Sequence, residues 1–205
     1  MEQLTNFING KFMQPKTEEY LDVFEPATGQ VYSKVPNSNS TDIDVAFQAA
    51  NAAFPGWSKL TVTDRSQYLH KIAELLEHQL DNFANYESRD TGKPVTLAQS
   101  VDIPRAIANF RFFAEYGPTF KFDSEINSDQ SENRVVHAPL GVVGCISPWN
   151  LPLYLFTWKI APALIAGNTV IGKPSEITPY TAYKLGKICA NAKLPAGVLN
   201  IVHGH

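Results

Sequence analysis

The first forty residues alternate short apolar runs with turn residues. In Asn6-Phe-Ile-Asn-Gly-Lys-Phe12 apolar positions flank an Asn-Gly pair, which is a hairpin signal, and Pro26-Ala-Thr-Gly29 marks a second turn before a strand-like run at 31–35. At Thr41 the period changes from two toward 3.6. Thr41-x-x-Asp44 has the form of a capping box, Val45, Ala49 and Ala53 follow at helical spacing, and Phe54-Pro55-Gly56 is expected to stop that helix. A second helix is expected over 64–86, because Leu69, Ile72, Leu76, Leu80 and Phe83 fall on one stripe that leaves His70 and His78 to solvent. A third, over 101–116, turns Ile103, Ile107, Phe110 and Phe113 to a core and carries Arg105 and Arg111 elsewhere on its circumference. The polar segment 123–133 reads as a loop or an exposed ribbon turn.

From Arg134 onward the pattern becomes α/β. Apolar runs at 142–146, 169–171 and 199–202 alternate with helical stretches at 153–166 and 180–192. Strand, helix, strand, helix, strand implies parallel strands joined by right-handed crossovers, and in such sheets the ligand lies beyond the carboxyl ends of the strands. Those positions hold Ser147-Pro-Trp-Asn150, Lys173-Pro-Ser-Glu176 and His203-Gly-His205.

Composition narrows the classes. With 44% hydrophobic and 18% charged residues the chain has the balance of a folded globular protein, and its net charge of -3 supplies no field for a phosphate backbone. Nucleic acid is therefore excluded as a partner. Cys145 and Cys189 show no metal-ligand or disulfide spacing, and no metal site is expected. Residues 1–10 lack a secretory pattern, and the longest apolar stretch, 151–165, is broken by Lys159, Pro152 and Pro162 and falls short of the roughly 20 residues of a membrane span. The expectation is a cytoplasmic protein with no membrane partner.

Each candidate constellation has a plainer reading beside it. Asn150 sits on a loop stiffened by Pro148 and Pro152, where a rigid amide suits an oxyanion; the alternative is an asparagine capping the next helix, with Trp149 as core filler. Lys173 and Glu176 stand where cation and anion can reach ribose hydroxyls, or else form an i,i+3 surface pair. No G-x-G-x-x-G follows any strand. His203 and His205 share one strand face but lack a third ligand, Cys145 reads as an inert core thiol, and Ser147 and Ser175 have no nucleophile elbow.

Taken together, these residues resemble the aldehyde dehydrogenase superfamily along nearly the whole chain. The motifs run from Phe7-Ile-Asn-Gly-Lys-Phe12 through Asp90-Thr-Gly-Lys-Pro94, Pro139-Leu-Gly-Val-Val-Gly144, Ile146-Ser-Pro-Trp-Asn-Leu-Pro152, Trp158-Lys-Ile-Ala-Pro-Ala-Leu164 and Lys173-Pro-Ser-Glu176 to Pro195-Ala-Gly-Val-Leu-Asn-Ile-Val202. Within the family, Asp102-Ile-Pro-Arg105 and Asn109-Phe110 look most like the 2-hydroxymuconic and 2-aminomuconic semialdehyde dehydrogenases. The resemblance implies an α/β fold: a Rossmann-like parallel sheet that binds the cofactor without the usual glycine fingerprint, preceded by a β-rich opening. It divides the chain into 1–122 (the β opening and helices of the cofactor domain), 123–139 (part of an oligomerisation arm) and 140–205 (an incomplete βαβαβ core).

The same resemblance assigns roles. Asn150 becomes the oxyanion donor; Ile146, Ser147, Pro148 and Trp149 line a nicotinamide cleft; Lys173, Ser175 and Glu176 hold the adenosine ribose. Tyr154, Leu155 and Trp158 shape an aldehyde tunnel with Lys159 behind it, and Arg105 reads a substrate carboxylate, its plainer alternative being a surface pair with Asp102. NAD is expected over NADP, the partner is a small aldehyde, and the full-length protein is expected to be a homo-oligomer. The family's nucleophilic cysteine and glutamate base belong to a second half that this chain does not contain. The chain thus reads as an N-terminal portion, inactive alone; the alternative is a non-catalytic cofactor-binding or assembly module.

Overall fold

After a two-residue strand β1 (Glu2–Gln3), the Asn9-Gly10 pair folds β2 (Asn6–Ile8) back on β3 (Lys11–Met13). Both turn residues take positive φ, 53° and 74°, the geometry whose twist matches a two-residue hairpin. The computed structural model describes residues 1–121, 123–128 and 131–205. β4 (Tyr20–Glu25) and β5 (Gln30–Pro36) pair across the turn at Gly29, and with β1 they form a small sheet over Leu4, Val23, Tyr32, Val35 and Tyr180.

The first helix departs from expectation at both ends. α1 spans Ser40–Lys59, and its capping box is Asn39 with Asp42 rather than Thr41 with Asp44: Asn39 Oδ1 accepts from Thr41 N at 2.9 Å, and Asp42 Oδ2 accepts from Asn39 N at 3.2 Å. The buried stripe is accordingly Asp42, Ala46, Ala50 and Trp57, with Val45, Ala49 and Ala53 along its edge. Pro55 does not stop the helix. The turn beyond it is held by Trp57, which is buried and donates from Nε1 to Leu164 O at 3.1 Å, so tertiary packing outweighs the lost backbone bond.

The single helix expected over 64–86 is two helices, α2 (Val62–Glu77) and α3 (Leu80–Thr91), parted at His78-Gln79. Leu69, Ile72, Leu76 and Phe83 are all buried, so the break keeps the stripe on the core side. α3 ends on Gly92 in the left-handed region. A short α4 (Val95–Leu97) and a π-helical turn, Ala98–Asp102, then lead into α5 (Ile103–Tyr116). Of the two readings of 123–133, the ribbon holds: β6 (Ser124–Ser128) pairs antiparallel with β7 (Ser131–Val135), and residues 129–130 lie outside the described residues.

The α/β segment forms as its pattern implies: β8 (Val142–Ile146), α6 (Pro152–Ile165), β9 (Thr169–Lys173), α7 (Tyr180–Asn191) and β10 (Leu199–Ile201), with β8, β9 and β10 parallel. The sheet is mixed rather than wholly parallel. Its order is β3-β2-β10-β9-β8, because the N-terminal hairpin adds itself antiparallel, Phe7 opposite Ile201. Phe156, Ile160 and Leu164 of α6 join Ile103, Ile107 and Phe110 of α5 and Leu69, Ile72 and Leu76 of α2 in one core, each contributing about 1.5–3 kcal/mol on burial. At Gly172 of β9 a Cβ would stand 2.5 Å from Phe156 Cζ, which is why this strand carries no side chain where α6 crosses it. No helix among the described residues is long and apolar enough to cross a membrane.

Candidate active site

β8 and β9 end side by side, Ile146 opposite Lys173, and Ser147 N donates to Lys173 O at 3.1 Å. The two following loops therefore share one rim at the carboxyl ends of the strands. On the first loop, Ile146 and Trp149 are 70% and 56% exposed, so Trp149 is an apolar face offered outward and not core filler. Ser147 is buried, and among the described residues its Oγ has no partner. α6 is capped by the backbone of Leu151 without a side-chain bond, so Asn150 does not cap it. The Asn150 side chain is exposed, and among the described residues its amide has no partner.

Two carbonyls fix this loop from outside. Thr178, nearly fully buried, donates from Oγ1 to Trp149 O at 3.1 Å, and Lys93 Nζ donates to Asn150 O at 3.3 Å. The Lys93 ammonium also meets the buried Asp102 at 2.6 Å. Sequence reasoning gave neither Thr178 nor Lys93 a role; the motif Asp90-Thr-Gly-Lys-Pro94 was the only trace of the latter.

On the second loop Lys173 Nζ and Glu176 Oε2 stand 3.4 Å apart, the pair of the plainer reading, and Ser175 Oγ donates to Glu176 Oε2 and accepts from Ile177 N. Burial pushes the Glu176 carboxyl up, but its own backbone N–H and the Lys173 ammonium outweigh this and hold it below the ordinary carboxylate range. It is an anion at neutral pH. The N-terminus of α7 is already served by Asp90, whose carboxylate accepts from Tyr180 N at 2.8 Å.

The first two turns of α6 carry the aldehyde-side candidates. Tyr154 and Trp158 make an edge-to-face pair, with centroids 5.4 Å apart, and Arg105 Cζ lies 5.4 Å from the Tyr154 centroid. Asn109 braces this turn from α5, donating to Tyr154 O and to Thr157 Oγ1, each at 3.0 Å. Leu155 is half-buried beside them, Trp158 is 51% exposed, and Lys159 is exposed. The alternative partner for Arg105 is gone, since Asp102 is committed to Lys93.

The remaining candidates scatter. His205 is exposed, with Nδ1 3.9 Å from Glu176 Oε1, whereas His203 is buried and burial pushes its imidazole down to about 3, so β10 does not present the two on one face. Cys145 is buried, its Sγ 3.7 Å from Lys159 O, and burial raises its thiol, consistent with an inert core residue. A cleft of about 790 Å³ beside Arg65, Lys121 and His137 lies at the amino ends of β8 and β9, opposite the rim.

Residues 12–205 match the aldehyde dehydrogenase family. The 2-aminomuconic semialdehyde dehydrogenase of Homo sapiens is 50% identical over 202 residues, which cover 98% of this chain and 41% of that protein. The 2-hydroxymuconic semialdehyde dehydrogenase of Pseudomonas sp. (strain CF600) is 44% identical over 209 residues, 100% of this chain and 43% of that protein. The crystal structure of PnpE from Pseudomonas sp. WBC-3, solved also in complex with nicotinamide adenine dinucleotide, superposes with a TM-score of 0.94 at 36% identity, over 99% of this chain and 42% of that one. The chain thus spans about two fifths of the length of these relatives, and with the family match running over nearly all of it and the fold shared, it belongs to the aldehyde dehydrogenase family.

Proposed function

We propose that this chain is the cofactor-binding and oxyanion-side portion of an NAD-dependent dehydrogenase that oxidises an aldehyde bearing a carboxylate, a muconic-type semialdehyde, to the acid. The observation that carries the reading is the Asn150 loop: an uncommitted amide on a backbone whose neighbouring carbonyls are held by Thr178 and Lys93. A donor held this way stabilises developing negative charge without reorganising during the reaction. The rim fits the dinucleotide in kind. Ile146 and Trp149 offer apolar surface for a nicotinamide ring, and Lys173, Ser175 and Glu176 offer one cation, one hydroxyl and one anion for ribose hydroxyls. NAD, when bound, supplies the hydride acceptor. The Glu176 carboxylate, charged at neutral pH, would repel a 2′-phosphate, which favours NAD over NADP.

Arg105 supports the carboxylate-bearing substrate. It is exposed, has lost Asp102 to Lys93, and rests over Tyr154, which pairs with Trp158, where a planar guanidinium can take a carboxylate through two hydrogen bonds. The cysteine nucleophile and glutamate base of the reading lie in the part of the family's length that this chain does not span. Localisation in the cytoplasm and a homo-oligomeric full-length state, with the 123–139 segment in the assembly arm, complete the proposal.

One experiment tests both assignments. A full-length enzyme containing residues 1–205 is assayed with a carboxylate-bearing semialdehyde and an uncharged aldehyde of similar length. Asn150→Ala should lower kcat on both by about 10²- to 10³-fold, whereas Arg105→Ala should lower kcat/KM by about 1.5 to 3 kcal/mol on the charged substrate only. A change in KM alone for Asn150→Ala, or equal losses on both substrates for Arg105→Ala, would remove the corresponding role.

A further inference from the structure

Behind the Asn150 loop lies a buried charge cluster that the assigned roles do not use. Lys93 follows Gly92, which ends α3 in the left-handed region with φ 75°, so the chain leaves the helix and Lys93 turns toward α6. Its backbone is fixed by Ser88, whose Oγ donates to Lys93 O at 2.6 Å. Its ammonium is fixed by Asp102 at 2.6 Å, in a pair whose side chains are 17% and 4% exposed. A pair so far removed from water gains little net stability, because desolvation offsets the attraction.

Asp102 reaches it through an irregularity. Residues 98–102 form a π turn, in which Ile103 N bonds to Ala98 O rather than to the residue four back. The widened turn sets Asp102 inward on Lys93 while Arg105, three residues on, lies outward over Tyr154. Glu87, a second carboxyl near Lys93, is pushed up to about 8 by burial and forms no ion pair among the described residues, whereas Asp102 meets the ammonium directly. With Asp102 holding one N–H, the ammonium spends another on Asn150 O at 3.3 Å.

We infer that Lys93, oriented by Asp102, is a positioning residue for the oxyanion donor: it holds the Asn150 carbonyl so that the side-chain amide of the same residue is aimed at the reacting carbonyl. The inference rests on the reading of Asn150 as that donor. Lys93 itself touches neither substrate nor cofactor, and its effect passes through Asn150 alone. The two residues must therefore be energetically coupled, which a merely structural lysine would not be.

A double-mutant cycle in the full-length enzyme decides this. Lys93→Met should lower kcat about 10- to 100-fold in the wild-type background, the scale of a donor misplaced by a fraction of an ångström to an ångström, and less than about 2-fold in the Asn150→Ala background. The dissociation constant for NAD, read by fluorescence titration without turnover, should stay within about 2-fold of wild type. Asp102→Asn, which keeps the shape but releases the ammonium, should reproduce the same coupling and serves if Lys93→Met does not fold. An equal loss in both backgrounds, or a loss of NAD affinity that matches the loss of kcat, overturns the inference while leaving Asn150 its role. If Asn150→Ala itself leaves kcat unchanged, the oxyanion reading falls and this inference falls with it.

Discussion

The two loops that share the rim are built in opposite ways. The loop after β9 is held by its own residues: Lys173 meets Glu176 three positions on, and Ser175 bonds Glu176 and Ile177. The loop after β8 is held by residues distant in sequence, Lys93 from 57 residues away and Thr178, at the far end of the connection between β9 and α7, from 29. A loop held by neighbours in sequence adjusts with its own chain, whereas a loop tied to residues far off in sequence moves only if those residues do. The difference suits the roles proposed, because a ribose clamp tolerates small adjustment and an oxyanion donor does not.

The sharpest way to separate the two is by pH. Burial raises Glu87, beside Lys93, to about 8, and raises Asp90 to about 7, while Glu176 on the other loop stays below the ordinary range. A carboxyl whose folded value lies above its unfolded value stabilises the fold fully below the unfolded value, and the contribution is lost as pH rises through the folded one. Between pH 7 and 8 most of the Asp90 loss is complete and Glu87 is still titrating, so the wild type should lose about 1 kcal/mol, a fall in Tm of about 3 °C. Glu87→Gln should lose most of that fall. An undiminished fall in the variant would place the pH response somewhere other than behind the Asn150 loop.

A smaller effect tests the other strap. Thr178→Val keeps the shape of a nearly fully buried side chain and removes the donor to Trp149 O. The expected cost is about 1 kcal/mol of stability, the worth of one neutral hydrogen bond, seen in urea denaturation as a lower midpoint with unchanged slope. No change in midpoint would mean that solvent replaces Thr178 at the Trp149 carbonyl and that this strap does not hold the loop.

What the sequence revealed follows the same division between local and distant. The Asn9-Gly10 hairpin and the order β8-α6-β9-α7-β10 were legible because turn chemistry and apolar runs are local signals. Lys173 and Glu176 were legible for the same reason. The end of α1 was not, since Pro55 is a local stop signal overruled by Trp57 packing against α6, more than a hundred residues on. The break at His78-Gln79 carries no glycine or proline to announce it, and the stripe continues across it. Asn150 could be singled out by its rigid loop, but the choice between capping and an uncommitted amide needed the cap at Leu151 to be seen. Lys93 and Asp102 were visible as motif letters only; what joins them is a π turn, and no spacing rule marks one.

The last and smallest effect concerns the loop held by its own residues. Lys173 and Glu176 are each about a quarter exposed and 3.4 Å apart, so their attraction is screened and opposed by the entropy of holding two side chains in one geometry. Lys173→Met should therefore cost at most about 0.5 kcal/mol of stability, a change in Tm of about 1–2 °C. The sign with pH follows from Glu176. Its folded value lies below the ordinary carboxylate range partly because of Lys173, so the pair's contribution is present at neutral pH and fades as pH falls through that lowered value. At pH 3 the Tm of variant and wild type should draw closer than at pH 7. A Lys173→Met loss as large as that of Thr178→Val would show that the pair braces the rim as a structural tie, and the contrast between the two loops would then lie in sequence distance alone. A loss within the predicted range leaves a pair that adds almost nothing to the fold, so that its two charges stay available to ribose hydroxyls.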